Sequence, residues 1–128
     1  MNLHVHVARS ASAAHVALVA ACRRHGLVVA GSRTTPVGRT GRGGFVVELA
    51  DPLPGIPDDA TPSAATRDVF PISVFDTAPG RSTVATLLPA AFVDLLGHPE
   101  AAGARAFETT LRAVLAEVAA LPPEAPVP

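Results

Sequence analysis

Along the first seven residues, Leu3, Val5 and Val7 alternate with His4 and His6. A period of two is the mark of a strand with one buried face, so the chain opens on a short strand. The pattern then changes period. Ala14, Leu18, Ala21, Cys22 and His25 fall at helical spacing behind Ser10 or Ser12, either of which can cap a helix N-terminus, and Gly26 suits a left-handed helix end. Two β-branched runs follow, Leu27 to Thr35 and Phe45 to Leu49, joined by a Gly-rich connection that predicts a hairpin. Val69 to Phe75 is a further apolar run. Its Pro71 predicts an edge strand or a bulge, because proline cannot donate to a ladder. Ala78-Pro79-Gly80-Arg81 turns the chain into a fifth strand, Ser82 to Leu88. Pro89 opens a short helix with Phe92, Leu95 and Leu96 on its buried side, Gly97 stops it, and His98-Pro99-Glu100 restarts helix. Phe107, Leu111, Val114, Leu115 and Val118 then line one face of a long final helix.

The order β-α-β-β-β-β-α-α predicts an α+β domain: an antiparallel sheet of about five strands with helices packed on one face. Residues 1–121 form that single domain, and 122–128 are a frayed, Pro-rich tail. The stretch from Asp51 to Arg67 is long for a passive connection and reads as a lid or a partner-contacting arm. A sheet covered on one side leaves its other face in search of a partner. Composition strengthens this point, since 48% of the 128 residues are hydrophobic but only five are Phe and none is Trp or Tyr. The bulky apolar volume is thin, and a homodimer would supplement it.

Net charge is −1, and the ten basic residues are all Arg, spread over both halves. Nucleic-acid binding needs a basic patch or stacking aromatics, so it is not expected. Without Lys, Schiff-base chemistry, pyridoxal phosphate attachment and a Walker-type phosphate site are excluded. No organic cofactor is implied. The lone Cys22 gives no disulfide framework, no run is apolar enough to span a membrane, and the expected location is cytoplasmic. Val19-Ala20-Ala21-Cys22 resembles a lipid-attachment box, but the strand before it, His15 within it and Arg23-Arg24 after it oppose that reading.

His4 and His6 are the sharpest chemical candidates. Residues i and i+2 of a strand share a face roughly 6.6 Å apart, within reach of one metal or haem iron, or of a shared acid-base role. The plain alternative is a pair of polar residues on the outer side of a strand. His98 sits at a helix start where Asn, Ser or Asp would cap better, which makes it a third candidate acid or base. His25 suits a helix C-terminus, and Cys22 reads as a small buried hydrophobe. Arg39 and Arg42, within Gly38 to Gly44, could bind an anion beside a backbone nest. The carboxylates form no convincing catalytic pair, and Ser82 lacks a nucleophile-elbow context.

The residues Gly26-Leu27, Phe70-Pro71-Ile72, Leu88-Pro89 and Gly97-His98-Pro99-Glu100 resemble motifs of the bacterial and archaeal domain-of-unknown-function family 302. The resemblance covers most of 1–50 and 68–120. It implies a compact, often dimeric α+β domain without an agreed activity, and makes Pro71 and Ile72 candidate ligand contacts. Ile72 stands where that family has Cys, and Ala60 where it has another, so any chemistry of those cysteines is absent. Two readings of function follow. One is a non-catalytic homodimeric domain that binds an apolar small molecule or docks a partner. The other is a small cofactor-independent enzyme, an isomerase or cyclase, in which His4, His6 or His98 moves a proton inside an apolar cavity.

Overall fold

A computed structural model describes residues 2–35, 44–50, 69–89 and 103–123. Five strands, β1 (Asn2–Val7), β2 (Val28–Thr35), β3 (Gly44–Ala50), β4 (Val69–Ala78) and β5 (Arg81–Leu87), form one antiparallel sheet in the order β1-β5-β4-β3-β2. Helix α1 (Ala11–Arg24) connects the two edges, and α2 (Ala104–Ala119) follows the last strand. Because antiparallel pairing alternates across five strands, the edge strands β1 and β2 run parallel. Such a pair needs a long crossover, and α1 supplies it. The α+β architecture with helices on one face is the one the pattern predicts.

Register divides the sheet into two faces. Val5 pairs with Val84, Val84 with Val74, and Val74 with Phe45. That row faces the helices with Val7, Phe70, Ile72, Val47 and Leu49; its ends Val5 and Phe45 are partly buried, and the rest is buried with Ala11, Ala14, Leu18, Ala21 and Cys22 of α1. From α2 come Phe107, Leu111, Val114, Leu115 and Val118, the five positions expected from helical spacing. Each large apolar side chain so buried contributes roughly 1.5–3 kcal/mol of transfer free energy. Phe70 and Phe107 meet edge to face at 4.9 Å between centroids, tying α2 to the middle of the sheet.

Helix α1 starts where Ser10 accepts a hydrogen bond from the Ala13 amide at 3.3 Å. It ends before Gly26, whose φ of 80° is open only to a residue without a β-carbon at little cost. One expectation needs correction. Pro71 is not on an edge strand, since β4 lies between β3 and β5, and the irregularity in β4 lies between Asp76 and Ala78. Pro71 is tolerated because pairing with β5 begins only at Ser73 and Ala85. Its carbonyl accepts instead from the Thr86 hydroxyl at 2.9 Å. Among the described residues the final helix runs from Ala104, behind a left-handed Gly103 with φ 89°. The short helix expected after Pro89, the restart at His98-Pro99-Glu100, the Gly38–Gly44 loop tip and the Asp51–Arg67 arm lie outside the described residues.

Candidate functional site

No described helix lies against the second face of the sheet, and the candidate chemistry gathers there. Alternation along β1 puts His4 and His6 on that face while Leu3, Val5 and Val7 face the helices. Strand pairing then extends each histidine into a row. His6 sits opposite Thr83, Thr83 opposite Phe75, and Phe75 opposite Gly44. His4 sits opposite Ala85, Ala85 opposite Ser73, Ser73 opposite Val46, and Val46 opposite Arg33.

The two imidazoles stand 5.6 Å apart between centroids, edge to face. Both residues are exposed. His6 Nδ1 lies 3.1 Å from Thr83 Oγ1, and Thr83 is itself buried. Gly44 is small for a reason of close approach: a β-carbon there would fall 2.5 Å from Thr35 Oγ1 and 3.2 Å from the Val74 carbonyl oxygen. Toward β2 the face becomes polar, with Arg33 Nε donating to Glu48 Oε1 at 2.8 Å.

Exposed hydrophobic side chains concentrate on the same face. Of the four large ones among the described residues, Val28 (63% exposed), Val69 (39%) and Phe75 (42%) lie on it, and only Val16 belongs to a helix. Val28 and Val69 flank Ala50 in one row of paired residues. A shallow groove of about 230 Å³ runs over Ser73 and Ala85, bordered by Asn2, Pro71 and Leu87. Pro71 therefore lines a surface depression, whereas its neighbour Ile72 is fully buried against the helices. A second depression, about 340 Å³, lies between Ser10, Asp76 and the Ala78–Gly80 turn. There Asp76 Oδ1 accepts from the Ala11 amide at 2.8 Å, so the first turn of α1 already has its anion. No histidine lines either depression.

The remaining titratable candidates are built into the scaffold. His15 stacks on Phe45, with centroids 4.4 Å apart and rings 6° from parallel, and its Nε2 is 2.8 Å from Ser32 Oγ. Burial holds its pKa below the ordinary 6.5. His25 is the C-terminal cap residue of α1, as its position suggested, and its Nε2 lies 3.2 Å from Glu117 Oε1. Hydrogen bonds from Arg24 and His25 hold the Glu117 carboxyl below the usual carboxylate range. Cys22 is fully buried, and burial pushes its thiol up to about 11, which keeps it protonated and unreactive near neutral pH. Ser82 Oγ is buried without a partner among the described residues.

Of the residues singled out by sequence, His4, His6 and Pro71 share the bare face, Ile72 is in the core, and His98, Arg39 and Arg42 lie outside the described residues. Thr83 and Phe75 complete the face without having been foreseen. Thr83 is separated from His6 by 77 positions, and only the pairing of β1 with β5 brings them together. No group of three or more His, Cys, Asp or Glu among the described residues is arranged to hold a metal ion. No described helix is long and apolar enough to cross a membrane.

Among the described residues, a five-stranded antiparallel sheet with two helices on one face defines the class of the molecule as a small α+β domain. No family model and no curated protein matches the chain. Among solved structures it is similar to the crystal structure of an uncharacterized conserved protein, DUF302, from Bacillus stearothermophilus. The identity is 14%, the match covers 91% of this chain and 97% of that one, and the TM-score is 0.71. The fold is thus the DUF302-like fold that the sequence motifs resemble.

Proposed function

We propose that the protein is a non-catalytic homodimeric domain in which two copies associate through their bare sheet faces, the groove over Ser73 and Ala85 being the place for a small apolar ligand. The observation that carries this reading is the concentration of Val28, Val69 and Phe75 on the face that no described helix covers. Scale supports it. Five strands at about 4.8 Å spacing and seven residues at about 3.3 Å rise give a face of roughly 24 by 23 Å. Two such faces bury on the order of 1,100 Å², just above the ~1,000 Å² expected of a specific interface. A dimer of this size is reversible and sensitive to single substitutions at its centre.

Phe75 is the test position, because its side chain is directed away from the core and its removal leaves the packing under the helices intact. Sedimentation velocity of the untagged protein should show a dimer, and Phe75→Asp should give a folded monomer with an unchanged circular dichroism spectrum. A monomeric parent, or a Phe75→Asp protein that dimerises as the parent does, would defeat the proposal. The enzymatic alternative has no comparable support, since the described depressions contain no histidine to move a proton.

A further inference from the structure

We infer that His4 and His6 form a two-histidine clip for a divalent transition-metal cation, with Thr83 as the residue that orients it. Three observations converge. First, both imidazoles rise from the same face of one strand, and no hydrogen bond among the described residues ties down His4. Second, their separation fits a shared ion. A metal bound at about 2.0–2.1 Å from a ring nitrogen lies roughly 3.2 Å from that ring's centroid, so two rings on one ion stand about 4.5–6.4 Å apart as the ligand angle opens from 90° to 180°. The observed 5.6 Å lies inside that interval.

Third, His6 has the outer partner that a ligating histidine requires. His6 Nδ1 lies 3.1 Å from Thr83 Oγ1, and in the tautomer in which Nδ1–H donates to that hydroxyl the Nε2 lone pair is left to bind metal. Thr83 is buried and sits directly across from His6 on β5, so its hydroxyl is a fixed partner. No third His, Cys, Asp or Glu completes the set among the described residues. The clip therefore supplies two nitrogen ligands and leaves the other positions to water or to an exchangeable ligand, a donor set that favours Cu²⁺ over Ni²⁺ and Zn²⁺. Because bound imidazole must be neutral, protons compete with the ion and binding weakens in acid. Both ligands belong to one strand of one copy, at the edge of the face proposed to pair, so the two proposals are compatible only if the association leaves that edge open.

The test is titration of untagged, metal-stripped full-length protein with Cu²⁺, then with Ni²⁺ alone, followed by calorimetry and by the electron paramagnetic resonance spectrum of the copper form. One Cu²⁺ per chain with nitrogen couplings from two imidazoles is expected. His4→Gln and His6→Gln should each weaken binding by more than tenfold. Thr83→Val should weaken it by about tenfold, with Thr83→Ser restoring it, the effect of losing an orienting partner. His25→Gln, far from the clip on α1, should leave it unchanged. Binding by His4→Gln/His6→Gln as tight as by the parent, or a copper spectrum unaltered in that double variant, would overturn the inference. Failure here with an intact dimer would leave the association of the bare faces standing, and the converse result would do the opposite.

Discussion

His15 is the histidine whose surroundings sequence alone described least well. It is half-buried between α1 and the sheet, flat against Phe45 and bonded to Ser32. Its pKa is lowered by burial, so the unfolded chain takes up a proton more readily than the native one. The contribution of neutral His15 is fully present above the ordinary value of 6.5 and is lost as pH falls through the lowered native value. Urea unfolding followed from about pH 8 to about pH 5 should show a falling midpoint, and His15→Gln should flatten that fall. An unchanged pH profile in His15→Gln would contradict the assignment. Glu117 acts in the same direction at lower pH: its depressed carboxyl stabilises the fold above the usual carboxylate value, and that contribution is lost on acidification. Being exposed, its pairs with Arg24 and His25 weaken with added salt.

At the level of elements, the start of α1 shows what local sequence contains and what it omits. Ser10 is legible as a cap because its hydroxyl reaches an amide only three residues ahead. Asp76 is not legible, since it caps Ala11 from 65 positions away. Both truncations should destabilise: Ser10→Ala by about 1 kcal/mol and Asp76→Ala by about 1–2 kcal/mol, measured by denaturant unfolding. A double variant that loses no more than Asp76→Ala alone would show that the two carry one shared interaction. Pro71 makes the converse point. The rule about proline in strands predicts an edge strand or a bulge, but β4 is central, its ladder with β5 begins only two residues on, at Ser73, and Thr86 bonds the Pro71 carbonyl from the neighbouring strand. Local chemistry identified every described strand; what replaces a missing ladder bond depended on the neighbour.

For the whole molecule, the alternation of β1 and the helical spacing of α2 were enough to specify a one-sided sheet, because each reports which side of an element is buried. Strand order was not available from the same signals. Period two says that a strand has two faces and says nothing of which strand lies beside it, so the neighbourhood of His6, Thr83 and Phe75 emerged only with the register. The candidate face was legible to the extent that it belongs to one strand, and hidden where it is assembled across four.

The placement of β1 beside β5 also has a consequence for how the chain is made. Of the five strands β1 is synthesised first, yet its neighbour in the sheet does not begin until Arg81. At about 5–20 residues per second, the ribosome imposes a wait of roughly 4–16 s before that neighbour exists. Nascent chains halted before Arg81 should leave the segment around His4 and His6 open to protease, and chains extended through α2 should protect it in one step. Protection appearing before β5 has emerged would refute this order of events. Among the five strands, β1 is thus the first to be made and the last to be sealed into the sheet.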